Sequence, residues 1–272
     1  IDHVLSILPF EPRVVASLGG PPLTYVGHRL ASDPSLLEAA ARQGQKQPTE
    51  PGPERVVSDQ PLCLLLPGSR NGEIKRLLPD FERVAEELAQ RMPEVRFQIV
   101  TLPRLENSVR SAVAGWSVPV DISTSAEAKW QALAEADVAL AASGTVLLEL
   151  AMVGVPCISV YRLDPMARPI IGKAAGWTAA LPNLIVDYPV INEYFHDSIR
   201  PGLIARRLEG LLHRSPERLA MLTQFDRVRD EMKTDHPPAE LAAEVVSNLL
   251  ENHRKADPAA AGSPGSARAG PT

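Results

Sequence analysis

The chain has 272 residues, of which 44% are hydrophobic and 22% charged, with a formal net charge of −5. That length and apolar content suffice for an ordinary buried core. The acidic balance and the lack of any long Lys/Arg block exclude a nucleic-acid surface, where a basic patch is the electrostatic footprint, so any anion would have to be held locally.

No stretch reaches eighteen consecutive apolar residues, and the first residues have no basic region, apolar core and small-residue cleavage site in series. The reading is a cytoplasmic chain. Cys63 and Cys157 both lie inside apolar runs, away from any Cys/His cluster, which makes them small buried hydrophobes and fits a reducing compartment.

In chain order, "HVLSILPF" reads as a strand, Glu11 opens a short helical segment, and "PLTYVGHRL" holds a second short strand ending in Gly27-His28. Ser32-Asp33-Pro34 is a helix start, followed by an alanine-rich helical pattern to about Gln43. The stretch "GQKQPTEPGPERVVSDQP" is dense in Gly, Pro and polar residues and reads as a linker.

From Leu62 the pattern becomes regular. A strand "LCLLL", a helix from Gly72 to Arg91 and a strand "RFQIV" are followed by "VPVDIS", the helix "SAEAKWQALAEA", the strand "DVALAA", the helix "GTVLLELAMV" and the strand "PCISVY". Apolar strands alternating with amphipathic helices predict a Rossmann-like parallel sheet flanked by helices. Pro201 to Asn252 reads as mostly helical and closing the domain. The residues from Ala256 to Thr272 are small and Pro/Gly-rich, with too little apolar surface to offset their ordering entropy, and are read as a disordered tail.

In an open parallel sheet, ligands bind beyond the carboxyl ends of the strands. Two loops there have suitable chemistry. In "LPGSR", Gly68 lets the backbone approach a ligand, Ser69 offers a hydroxyl and Arg70 a forked cation at a helix N-terminus, a set suited to a diphosphate. In "ASGTVLLE", Ser143, Gly144 and Thr145 open a helix that carries Glu149 about one turn further in. Neither strand is followed by G-x-G-x-x-G or G-x-x-x-x-G-K-[ST], which argues against a nicotinamide site and a P-loop. No Asp-x-Asp pair occurs, so no metal and no cofactor is expected, and cationic and backbone donors are left to stabilise a departing diphosphate.

The ordered series "LPFE" (Leu8 to Glu11), "YVGH" (Tyr25 to His28), "LLPGSRNGEI", "ASGTVLLELA", "YR" (Tyr161, Arg162) and "LPNL" (Leu181 to Leu184) resembles the lipid-A-disaccharide synthases, glycosyltransferases of the two-domain B architecture. The resemblance implies transfer of 2,3-diacylglucosamine from UDP to the 6-hydroxyl of 2,3-diacylglucosamine 1-phosphate, with inversion to a β-1,6 disaccharide. It implies that Arg70 is catalytic, holding the diphosphate of the leaving group, and that Gly68, Ser69, Ser143, Gly144, Thr145, Glu149, Tyr161, Asn183 and Glu193 bind the UDP-sugar. Asn183 matches a nucleotide-contacting position, and its amide can donate and accept towards a uracil edge. Glu193, in "VINEYFH", aligns with the family's Val-Pro-Glu stretch, but Asn192 and His196 stand where Pro and Gln are usual, and a solvated glutamate at a helix start is the competing reading.

On the same resemblance, residues 1–31 are the last elements of a truncated N-terminal acceptor domain, 32–61 a helix and interdomain linker, 62–255 the C-terminal UDP-sugar-binding domain, and 256–272 the tail. The general base is then expected in the N-terminal domain. Two alternatives remain open: another UDP-N-acetylglucosamine-type transferase or epimerase, and a non-catalytic UDP-sugar-binding module. The segment "ARPIIGKAAGWTAALPNL" combines Ile170, Ile171 and Trp177 with Arg168 and Lys173, a composition able to rest on a bilayer surface, so peripheral contact with the inner membrane and a homo-oligomeric state are also entertained.

Overall fold

A computed structural model describes residues 1–46, 52–162 and 177–256. The chain divides into two compact units, one of Ile1–Arg29 with the residues from Thr234 onward, the other of Leu30–Lys233.

The first unit begins with β1 (Val4–Ser6), α1 (Glu11–Ser17) and β2 (Leu23–Tyr25). β1 and β2 pair in parallel, Val4 opposite Leu23 and Ser6 opposite Tyr25. The Ser6 hydroxyl donates to the Leu8 carbonyl at 2.9 Å and to the Glu11 carboxylate, which ties the end of β1 to the first turn of α1.

In the second unit, α2 (Pro34–Lys46) starts where the sequence indicates, with Asp33 Oδ1 accepting from the Ser35 and Leu36 amides at 3.0 and 3.3 Å. It is followed by β3 (Gly52–Val56), β4 (Leu62–Leu66), α3 (Asn71–Arg91), β5 (Arg96–Val100), α4 (Glu106–Val113), β6 (Val120–Ser123), α5 (Ala126–Glu135), β7 (Val138–Ala142), α6 (Thr145–Val153) and β8 (Cys157–Tyr161). After the undescribed residues come α7 (Leu181–Val186), β9 (Asn192–Phe195), α8 (Pro201–Leu212), β10 (His213–Arg214) and α9 (Pro216–Glu231). The last helix, α10 (Pro238–Ala256), belongs to the first unit.

Six strands form one parallel sheet in the order β6-β5-β4-β7-β8-β9. The central pair, β4 and β7, is buried at every residue, as their continuous apolar sequences require of strands covered on both faces. From β4 the chain steps outward to β5 and β6, then returns to β7 on the other side of β4. The strand order therefore reverses between β4 and β7, and their carboxyl ends lie side by side.

Four expectations change. The stretch read as a linker contains β3, which pairs antiparallel with β10. α2 packs within the same unit as the sheet: the buried Gln43 amide donates to the carbonyls of Leu133, Ala134 and Ala136 at 2.9, 3.1 and 2.6 Å, satisfying the C-terminal end of α5. Glu193 lies in a sheet strand, not at a helix start. The helical segment after Pro201 is divided, because α8 packs on β7 and β8 and α9 packs on α6 and α7, while α10 groups with the first 29 residues, where Gly27, at φ +90°, leaves room for Thr234 and Pro238.

Arg218 of α9 is almost fully buried and donates from Nη1 to the carbonyls of Asp137 and Leu211 at 2.8 and 2.7 Å. Burial lowers its pKa to about 10, opposed by the charge of Asp137, so it remains a cation at neutral pH. Asp137 also accepts from the Leu62 amide at 2.9 Å and pairs with Lys46 at 3.0 Å, fixing the amino ends of β4 and β7.

Candidate functional site

The loop after β4 turns at Gly68, whose φ of +106° is a region that side chains other than glycine's rarely adopt. Arg70 then caps α3 in an extended conformation, with its carbonyl accepting from the Ile74 amide at 3.0 Å. The Arg70 side chain is largely exposed, and its Nη1 lies 2.6 Å from Oε1 of Glu73, a carboxylate that is only 10% exposed. The hydrogen bond and charge of Glu73 raise the Arg70 pKa above its ordinary value, and Tyr161 at the end of β8 adds in the same direction. Tyr161 is the last residue of β8. From the turn after β5, Arg104 donates to the Ser69 carbonyl at 2.6 Å, so a second arginine fixes the same turn.

The loop after β7 ends at Gly144, with φ +135° and open space where a Cβ would stand. Gly144 is the N-cap of α6, and with no side chain it leaves the first amides of the helix without a cap from that position. Because β4 and β7 are neighbours in register, Leu66 opposite Ala141, the two glycine turns and the two helix N-termini come together at the carboxyl edge, at the reversal of strand order.

Glu149, on the second turn of α6, is largely buried and pairs with Lys129 of α5 at 2.7 Å. Its carboxylate is consequently held by a cation in this structure, and Lys129 in turn lies 4.6 Å from the Trp130 ring centroid. Arg162, just past Tyr161, pairs with the buried Asp80 of α3 through Nε at 2.5 Å and Nη2 at 3.0 Å. The bond anchors the end of β8 to α3.

Asn183 is almost fully buried, and its amide donates to the Ile191 carbonyl at 3.1 Å and to the Thr178 hydroxyl at 3.0 Å while accepting from the Ile191 amide at 2.8 Å. These bonds tie Asn183 to the residue before β9. Glu193 accepts from the Thr178 hydroxyl and from the Ala179 amide, at 3.2 Å to Oε1. Thr178 therefore joins Asn183 and Glu193 into one network that orders the chain entering α7.

The sequence reading missed Glu73, Arg104 and Asp80. Only Glu73 carried a local signal, since an acidic residue at the third helical position marks a helix start. In the segment read as membrane-facing, residues 167–176 lie outside the described residues, and Trp177 is half exposed. Among the described residues no helix is long and apolar enough to cross a membrane.

Comparison with known proteins adds to this geometry. A family model for lipid-A-disaccharide synthetase matches residues 1–244. The lipid-A-disaccharide synthase of Nitrobacter winogradskyi is 36% identical over 259 residues, covering 93% of this chain and 62% of that protein. That of Bradyrhizobium diazoefficiens is 34% identical over 257 residues, covering 94% of this chain and 63% of that protein. The chain thus spans a little over six-tenths of the length of these relatives. Among solved structures, CalG4, the calicheamicin glycosyltransferase, superposes with a TM-score of 0.56 at 18% identity, covering 92% of this chain and 54% of that one, a likeness of fold.

Proposed function

The chain belongs to the lipid-A-disaccharide synthetase family, and from that premise we propose that it supplies the UDP-sugar half of an inverting glycosyltransferase. The reaction moves 2,3-diacylglucosamine from UDP to the 6-hydroxyl of 2,3-diacylglucosamine 1-phosphate and releases UDP. The observation that carries this reading is the pairing of two glycine turns, each opening a helix, at the reversal of strand order between β4 and β7.

In this reading the diphosphate lies across the two turns. Gly68 and Gly144 allow close backbone approach, the amides that open α3 and α6 donate to phosphate oxygens, and Ser69, Ser143 and Thr145 offer hydroxyls. Arg70 binds the departing diphosphate, and its bond strengthens as negative charge develops there, which favours the transition state over the ground state. Tyr161 closes the phosphate side. Glu149 faces the ribose, with Lys129 holding its carboxylate in orientation. Asn183 and Glu193 serve by ordering the segment before α7. The base that removes the acceptor's 6-hydroxyl proton comes from the acceptor domain. A cytoplasmic location, peripheral membrane contact suited to acylated substrates, and self-association belong to the same proposal.

The test is disaccharide formation by the gene product that contains this chain, given UDP-2,3-diacylglucosamine and 2,3-diacylglucosamine 1-phosphate. Product should appear with one UDP released per disaccharide, and Arg70→Ala should lower kcat/KM by about 10²–10³-fold, the scale of one preorganised donor. Absence of UDP release would contradict the reading.

A further inference from the structure

Glu73 places a carboxylate beside the turn to which the proposed function assigns a diphosphate. It is the third residue of α3, where the positive end of the helix favours an anion. One carboxylate oxygen lies 2.6 Å from Arg70 Nη1, and the other occupies the space beside Gly68, 2.8 Å from where a Cβ on that glycine would stand. The partners differ sharply in exposure: the Arg70 side chain is 78% exposed and that of Glu73 is 10% exposed. A long exposed arginine samples many rotamers, and holding one of them at a loop needs a partner that is itself fixed. Glu73 meets that condition because the helix and the Gly68 backbone confine it.

We infer that Glu73 is a positioning residue for Arg70, holding the guanidinium over the β4 loop before the diphosphate arrives. This rests on the reading of that loop given above. A guanidinium has five N–H donors, and Glu73 takes one of them through Nη1, which leaves the remaining donors for phosphate oxygens. The opposite possibility is a competing internal anion that the diphosphate must displace. The two differ in sign: a positioning carboxylate strengthens UDP binding, whereas a competitor weakens it.

The experiment is calorimetric titration of the 272-residue chain with UDP in four forms: unmodified, Glu73→Gln, Arg70→Ala and the double variant. Glu73→Gln should weaken UDP binding by about fivefold, the upper range for a partly exposed ion pair, and this loss should vanish in the Arg70→Ala background. Loss of equal size in both backgrounds would overturn the inference, because Glu73 would then act on the fold or directly on the ligand. Tighter or unchanged binding in Glu73→Gln would overturn it as well. If Arg70→Ala itself binds UDP as the unmodified chain does, the reading of the loop fails, a result separable from failure of Glu73 alone. Should Glu73→Gln not fold, Glu73→Asp is read in the same cycle: it keeps the charge, shortens the reach and should show a smaller loss confined to the Arg70 background, and an unchanged affinity there would overturn the inference.

Discussion

Replacing Gly68 by Ala perturbs the β4 turn in two ways that the structure specifies. The backbone sits at φ +106°, and the new Cβ would meet Glu73 Oε2 at 2.8 Å and its Cβ at 3.3 Å. The carboxylate is the far end of its side chain, so the new Cβ can push it out of its confined position, and that displacement breaks its bond to Arg70. The backbone term alone is enough for a loss, since a residue other than glycine held in a sparsely populated region costs about 1–3 kcal/mol. In a unit of this size each kcal/mol lowers Tm by about 2–4 °C, so Gly68→Ala should melt about 2–12 °C below the unmodified chain. Gly210, inside α8 with nothing within 4 Å of an added Cβ, is the control, and Gly210→Ala should gain about 0.5–1 kcal/mol from helix propensity. Differential scanning calorimetry reads both. A Gly68→Ala chain that melts with or above the unmodified one would refute the argument, since neither the positive φ nor the Glu73 contact could then be as described.

Asn183→Ala leaves the Ile191 amide and carbonyl without their partner in a buried setting and should cost about 2–4 kcal/mol, read as a lower urea midpoint; an unchanged midpoint would mean the amide does not order this segment. Asp137→Ala removes the acceptor of the Leu62 amide and the charge facing buried Arg218, and should cost about 3–5 kcal/mol on the same measurement, whereas a loss below 1 kcal/mol would show that Arg218 is compensated elsewhere. Cys63 and Cys157 are fully buried, and burial raises both thiols well above their ordinary pKa, so a thiol-reactive reagent should label them only as fast as the chain unfolds. Rapid labelling of the native chain at neutral pH would contradict their placement.

The central strands could be read from sequence because "LCLLL" and "DVALAA" have no polar face to hide, and a strand buried on both sides needs none. Their loops were readable for the same reason, since a glycine and a hydroxyl directly after such a run have few structural uses. Asn192–Phe195 was not recognised as a strand because Asn-Glu-Tyr-Phe at a sheet edge shows neither a continuous apolar run nor clean alternation. β3 was masked by Gly52 and Pro53, residues typical of linkers. At the site, the position of Asn183 was legible but its orientation was not, because its partner Ile191 lies eight residues further on across a turn. The pairing of Arg162 with Asp80, 82 residues apart, depends wholly on β8 and α3 being packed together. Glu73 was within reach of local reasoning, its spacing from Arg70 being that of an i,i+3 pair at a helix start.

The central claim is that a nucleoside diphosphate is held jointly by the turns after β4 and β7. Hydrogen–deuterium exchange of the 272-residue chain with and without UDP tests it most directly. The account predicts slowed exchange in peptides covering Gly68–Glu73 and Ser143–Leu147, with the effect in both lost or greatly reduced in Arg70→Ala. Protection confined to one turn, or appearing elsewhere while both turns exchange as before, would contradict it.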